Sequence, residues 1–275
     1  MLISDLFKDS VLAAHYLREG YVLIPLLTTD DISAMNSLFS TQKKASGVDR
    51  GFYTSVWSDN EHYRKEVDQG LKKIMMPRLY EHFTDIKSVF ANYMVKASGP
   101  DTSLISHQDW SFVEEPLYDT ATVWCPLVDV NAHNGNLQII ARSHRINNFV
   151  RGRFFDAPFR HISDTELQRY LTHVSMRAGE ALIFNSRLIH ASPPNMSGTT
   201  RVAASVVISP TAAPLYHWTL DSENNPTASR RLHITNDFFW EHSCYEPLDG
   251  LQGDNEQPYV KGHIREEELA GLLRD

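Results

Sequence analysis

Two cysteines, Cys125 and Cys244, are all the thiol chemistry in 275 residues, too few and too far apart for a disulfide framework or a C-x-x-C metal site. They read as buried or incidental thiols. No apolar run approaches the roughly 18 residues of a membrane span. The opening Met1-Leu2-Ile3-Ser4-Asp5 also lacks the basic start and long apolar stretch of a secretory signal, so a cytoplasmic, membrane-free protein is expected. Positive charge is scarce too: 26 Lys+Arg face 34 Asp+Glu, a formal charge of -8, which argues against a nucleic-acid partner and for a small-molecule one. There is no internal repeat, no low-complexity tract and no Pro-, Gly- or Ser-rich linker, so residues 1–275 are expected to form one domain. Nothing in the sequence sets an oligomeric state.

What the chain does contain is 42% hydrophobic and 11% aromatic residues, enough for one sizeable core. Residues 1–85 read as a mainly helical scaffold. Asp9 to Arg18 has helical spacing and stops at Gly20, Tyr21 to Leu27 is a compact strand, Asp31 to Phe39 follows the cap residues Thr28-Thr29-Asp30, and Asn60 to His82 is a third helix that Pro77 can kink. Residues 86–210 change texture to short apolar runs: Val89 to Ala97, Ala121 to Val130, Asn136 to Ala141, Ala181 to Phe184, Leu188 to Ala191 and Arg201 to Ser209. Such spacing predicts an all-β sandwich or barrel. Asn134-Gly135 predicts a hairpin joining the second and third runs, because both residues tolerate positive φ. Ser163-Asp164-Thr165-Glu166 is a capping box opening a short helix to about Leu171. Residues 211–275 form a C-terminal extension whose end, His263 to Arg274, carries Leu269, Leu272 and Leu273 on one helical side.

Thirteen histidines invite a search for ligands. Ser106-His107-Gln108-Asp109-Trp110 holds the only H-x-D, and on an extended segment His107 and Asp109 point to the same side. Taken alone, chance can supply such a match. His190 ends an apolar strand before a Pro193-Pro194-Asn195 turn, and Arg201 follows eleven residues later on another apolar run. If the two runs form a hairpin, His190 and Arg201 lie opposite one another on one face. No acidic residue occurs from Val202 to Ser209, so an inward guanidinium there needs an anion from elsewhere. Two imidazoles and one carboxylate on one face of a metal leave adjacent positions open, the arrangement of non-haem Fe(II) oxygenases, and a nearby Arg suits capture of a carboxylate.

In this order the motifs resemble the phytanoyl-CoA dioxygenase family. The marks are His107-Gln108-Asp109, then Trp124 with Pro126-Leu127, Asn134-Gly135 with Leu137, Ser143-His144, and Ala178-Gly179-Glu180 ahead of the strand reaching His190. The resemblance implies a mainly β, double-stranded β-helix (jelly-roll, cupin-like) barrel with flanking N-terminal helices. It implies Fe(II) on His107, Asp109 and His190, with 2-oxoglutarate paired to Arg201 and O2 as co-substrate. The outcome would be hydroxylation of an unactivated C–H bond with release of succinate and CO2. Related halogenases carry a small residue in place of the carboxylate, so Asp109 favours hydroxylation. Ala141-Arg142 departs from the family's usual Pro-Gly, and Ala203 lacks the hydroxyl that some relatives place two residues after the Arg. Lys96 and Thr122, on strands expected to flank the site, are candidates for the missing co-substrate contact.

Arg142, Arg145, Arg151, Arg153 and Arg160 share a stretch with a single acid, Asp156. One reading is a lid for an anionic substrate group; the favoured one is a solvated loop paired with acidic neighbours. His144 and His217 are offered as lining the pocket, whereas His62, His82, His161, His242 and His263 are read as surface or helix residues. Trp110, Phe112 and Trp218 read first as core and second as pocket wall. Two other functions fit the same ligands: a cupin-like metal isomerase or lyase using the ion as a Lewis acid without redox, and an inactive ligand-binding relative.

Overall fold

The computed structural model describes residues 1–46, 51–146, 149–221, 226–243, 246, 248 and 250–272. Cys244, Leu273 and Arg274 lie outside the described residues. In chain order the elements are α1 (Ser10–Glu19), β1 (Tyr21–Pro25), α2 (Thr29–Ser46), β2 (Phe52–Thr54), α3 (Glu61–His82), β3 (Ile86–Lys96), β4 (Leu104–His107), β5 (Ala121–Pro126) and β6 (Leu137–Ile139). Then come α4 (Asp164–Leu167), β7 (Thr172–Val174), β8 (Glu180–Asn185), β9 (His190–Ser192) and β10 (Arg201–Pro210). The extension holds β11 (Tyr216–Leu220), β12 (Ala228–His233), α5 (Phe238–Glu241), β13 (Gln257–Pro258) and α6 (Glu266–Gly271).

Local chemistry sets the helix ends. The Asp9 carboxylate accepts from the backbone N–H groups of Val11 and Leu12, at 2.7 and 3.3 Å, and Gly20 closes α1 in the left-handed region at φ 85°. The Asn60 side chain caps α3, which runs as one helix through Pro77, and the capping box at Ser163 and Glu166 opens α4.

Two antiparallel sheets make the jelly roll, a six-stranded one in the order β1-β8-β5-β10-β3-β2 and a four-stranded one in the order β4-β9-β6-β7. Period-two alternation divides the six-stranded sheet into two faces. Ala91, Tyr93, Val202, Ala204, Val206, Val123 and Ile183 face outward into a core shared with the Val67, Leu71, Met75 and Leu79 stripe of α3. The alternate residues face the four-stranded sheet: Trp124, Leu182, Phe184 and Ala203 form a second core with Leu137 and Ile139 of β6. Each strand thus offers one face to the helical scaffold and the other to the site.

Two expected hairpins are not formed. Gly135 does turn, at φ 77°, with the Asn136 N–H donating to Asn131 O, but β5 and β6 belong to different sheets, so the turn joins sheets. Likewise β9 pairs with β4 and β6, whereas β10 pairs with β3 and β5. His190 and Arg201 are therefore not cross-strand partners. A jelly roll alternates its connections between sheets, and short-range turn signals cannot report which strand the chain pairs with next. The extension, expected to be helical at its end, also contains a three-stranded sheet β11-β12-β13.

Candidate metal centre and adjoining cavity

His107 and His190 are paired in register on β4 and β9, and their ring centroids are 4.1 Å apart. Each ring is oriented by its own strand: Nδ1 of His107 lies 2.8 Å from Ile105 O, and Nδ1 of His190 lies 2.9 Å from Leu188 O. A carbonyl can only accept, so each Nδ1 carries the proton and each Nε2 presents a lone pair. Asp109 follows β4 and brings Oδ1 to 3.7 Å from His190 Nε2. Ligand atoms of His107, Asp109 and His190 all lie within 4.8 Å of one another. Desolvation, then the neighbouring His190 ring, pulls the His107 pKa down to about 4, so the imidazole is neutral, as metal ligation requires. The donor set suits a divalent metal with an open side.

Thr122 on β5 donates its hydroxyl to Asp109 Oδ2 at 2.5 Å, so its partner here is the carboxylate. Arg151 holds the same segment from behind: its Nε donates to Asp109 O at 2.7 Å while its guanidinium pairs with buried Glu115 at 2.5 and 3.0 Å. Arg142 pairs with Glu19 at 3.0 Å. These two members of the basic stretch have acidic partners, but Arg151 is buried rather than solvated. The supporting role of Arg151 was not foreseen, because it lies 42 residues from Asp109 and only the fold connects them.

Arg201 is directly opposite Lys96 on the β10–β3 pair, and both side chains are buried, at 2% and 0% exposure. The guanidinium lies 5.3 Å over the Trp124 ring, donates to Met94 O at 3.3 Å, and has no hydrogen-bond partner at Nε. Burial lowers its pKa to about 9, which still leaves it charged at neutrality. Lys96 Nζ donates to Ser192 O and Pro193 O, at 2.9 and 2.5 Å, which links β3 to the end of β9. Desolvation, with Arg201 adding repulsion, drops the Lys96 pKa to about 6. Among the described residues no carboxylate forms an ion pair with either cation. An anion such as the distal carboxylate of a small diacid fits this environment, since a buried cation without one is costly.

A cavity of about 210 Å³ reaches His107, Gln108 and Asp109 between aromatic walls that include Trp57, Phe90, Trp110 and Phe239. Phe112 and Trp110, expected as core or wall, line it; His217 packs behind Trp110 at 5.0 Å between ring centroids, and His144 is buried with Nε2 3.2 Å from Leu17 O. Asn92, Ser205 and Phe239 line the cavity without having been singled out, since nothing in their local sequence distinguishes them from core residues.

A jelly roll with a His-Asp-His cluster at its mouth defines a class of metal-binding barrels. The phytanoyl-CoA dioxygenase (PhyH) family model matches residues 16–203, and the chain belongs to that family. It is 26% identical over 219 residues to a phytanoyl-CoA dioxygenase of Arabidopsis thaliana, covering 66% of this chain and 75% of that one. It is 28% identical over 193 residues to phytanoyl-CoA dioxygenase 1 of Oryza sativa subsp. japonica, covering 63% and 66%. Solved structures share the fold: the α-ketoglutarate-dependent carbocyclase SnoK (TM-score 0.54, 19% identity, 78% and 88% covered) and the epimerase SnoN (0.55, 16%, 91% and 92%), both from nogalamycin biosynthesis. EctD from S. alaskensis, solved with 2-oxoglutarate and 5-hydroxyectoine, also matches (0.51, 15%, 75% and 78%). No helix among the described residues is long and apolar enough to cross a membrane.

Proposed function

We propose that the protein is an Fe(II)- and 2-oxoglutarate-dependent oxygenase that hydroxylates a C–H bond of a small metabolite. The observation that carries this reading is the His107, Asp109 and His190 cluster in the same barrel as a buried Arg201 that lacks a carboxylate partner. In this reading the two Nε2 atoms and the Asp109 carboxylate hold iron, and Arg201 pairs with the distal carboxylate of 2-oxoglutarate. Bound iron and 2-oxoglutarate would activate O2, one oxygen atom going to the C–H carbon as hydroxyl and the other to succinate as 2-oxoglutarate loses CO2. The chain's own work is positional. Thr122 and Arg151 fix Asp109 from the side-chain and backbone ends, the Ile105 and Leu188 carbonyls fix the imidazoles, and the aromatic walls keep water from the reacting carbon. Lys96, directly opposite Arg201, would regain its proton beside the bound diacid.

Barrels of this fold include a carbocyclase and an epimerase. Asp109, which completes the protein's ligand set and leaves no gap for a halide, favours hydroxylation over halogenation, and the product separates hydroxylation from the other two outcomes. Purified protein with Fe(II), ascorbate and 2-oxoglutarate is expected to consume O2 and release succinate, and Asp109→Ala to lose this activity by a factor of at least about 100. Product mass then assigns the outcome: one added oxygen for hydroxylation, two lost hydrogens for cyclisation, no change for epimerisation. Metal-dependent turnover of a substrate without O2 uptake would replace this reading with a non-redox isomerase or lyase.

A further inference from the structure

Besides His107, Asp109, Thr122 and Gln108, whose Oε1 also lacks a partner, the polar side chains lining the cavity beside Asp109 include Thr54, Asn92 and Ser205, all on the six-stranded sheet. Asn92 on β3 and Ser205 on β10 are directly opposed, and both line the cavity at 2% and 1% exposure. The Asn92 amide donates through Nδ2 to the Thr54 hydroxyl on β2, and its Oδ1 is buried without a partner. The Ser205 hydroxyl beside it has no partner either. Buried polar groups are nearly always paired, so two orphans side by side in the wall of a cavity mark a place where a ligand completes the bonding. An acceptor oxygen next to a hydroxyl matches a neutral group that both donates and accepts. No lysine or arginine lines this cavity, and its one carboxylate, Asp109, is engaged at the triad. Much of the remaining surface is aromatic, from Phe52, Trp57, Phe90, Trp110, Phe112 and Phe239, with aliphatic residues between them.

We propose that Asn92 and Ser205 form the specificity element of the site, recognising a hydroxyl or carboxamide on a neutral, largely apolar, ring-bearing substrate. This rests on the oxygenase reading above. It turns away from an anionic substrate for this cavity, since an anion would meet aromatic faces and an acceptor oxygen. Seated on the floor by that group, the substrate presents its opposite side to the triad.

The test uses the full chain loaded with Zn(II), a redox-inert substitute for iron, and 2-oxoglutarate, each loading step followed by calorimetry. Three probes of one shape, p-cresol, toluene and p-toluate, are then titrated by ligand-observed NMR. p-Cresol is expected to bind at least about tenfold tighter than either of the others, because a site built to bond a hydroxyl rejects the analogue lacking it. Ser205→Ala and Asn92→Leu are each expected to reduce that preference to about twofold or less while toluene affinity holds within about threefold. Retained Zn(II) binding serves as the control for folding, and Ser205→Ala, which removes a single oxygen, carries the test if Asn92→Leu misfolds. Equal binding of p-cresol and toluene to the loaded wild type, or a preference that survives Ser205→Ala, overturns the proposal while leaving the oxygenase reading intact. Loss of 2-oxoglutarate affinity in the variants, with the p-cresol preference kept, would assign the pair to the co-substrate and overturn it equally. Failure of the wild type to bind Zn(II) or 2-oxoglutarate overturns the oxygenase reading itself.

Discussion

At the scale of single residues, Thr122 shows how a candidate changes role once its contacts are seen. The sequence offers it as a partner of the co-substrate, because its strand is expected to run beside the site. In the structure its hydroxyl is 2.5 Å from Asp109 Oδ2, leaving Oδ1 to face His190. A carboxylate that has lost this bond is free to rotate, and outer partners of this kind typically contribute about 10–100-fold to metal affinity. Thr122→Val keeps the shape and removes the donor, so Fe(II) or Co(II) affinity measured by calorimetry should fall within that range. Thr122→Ser, which restores the hydroxyl, should recover most of it. Wild-type affinity in Thr122→Val would mean that Asp109 is oriented by the backbone of its segment alone.

At the scale of elements, the β3–β10 pair sets two basic side chains opposite each other in a buried sheet, with consequences for stability against pH. Lys96 has a folded pKa of about 6 against an ordinary value of 10.5. Between those values the unfolded chain holds a proton that the folded chain has released, so unfolding free energy rises with pH across that window. Relative to Lys96→Met, the wild type should gain stability from pH 6.5 to 8.5 at up to about 1 kcal/mol per pH unit, read from urea midpoints. A saturating diacid beside Arg201 should flatten the slope by drawing the proton back onto Lys96. A difference independent of pH would show that the two carbonyl bonds keep the ammonium charged. The same strands show what sequence can and cannot carry. The helix ends at Asp9, Gly20, Asn60 and Ser163 were legible because caps act within one turn. His107 and Asp109 were legible together because their spacing fixes direction locally, whereas His190 was reached through a hairpin with Arg201 that does not form and through the order of the family's motifs. The expected bond between the Leu188 and Arg201 runs was not formed, although both strands exist, because pairing in a jelly roll is decided by contacts distant in sequence. Arg151 and Asn92 were hidden for a related reason: their significance lies in what the fold sets against them, Asp109 in one case and an open cavity in the other.

At the scale of the molecule, the site is divided between the two sheets. His107 and His190 belong to the four-stranded sheet, while Thr122, Lys96 and Arg201 belong to the six-stranded one. A metal on the triad and a diacid reaching Arg201 would therefore tie the sheets together, and both would bind only the folded chain. Ligand at about 100 times its Kd adds about 2.7 kcal/mol to unfolding free energy. For a chain somewhat above 250 residues, each kcal/mol moves Tm by roughly 2–4 °C or slightly less. Fe(II) or Mn(II) under nitrogen should thus raise Tm by on the order of 5 °C, and 2-oxoglutarate by a further increment only when the metal is present. EDTA should reverse both. Arg201→Met should keep the metal increment and lose the diacid increment, whereas Asp109→Ala should lose both, a pattern that separates the two ligands by the sheet that holds each. A diacid increment that persists in full without Arg201 would place the distal carboxylate elsewhere in the barrel, and one that appears without metal would break the proposed link between the two halves of the site.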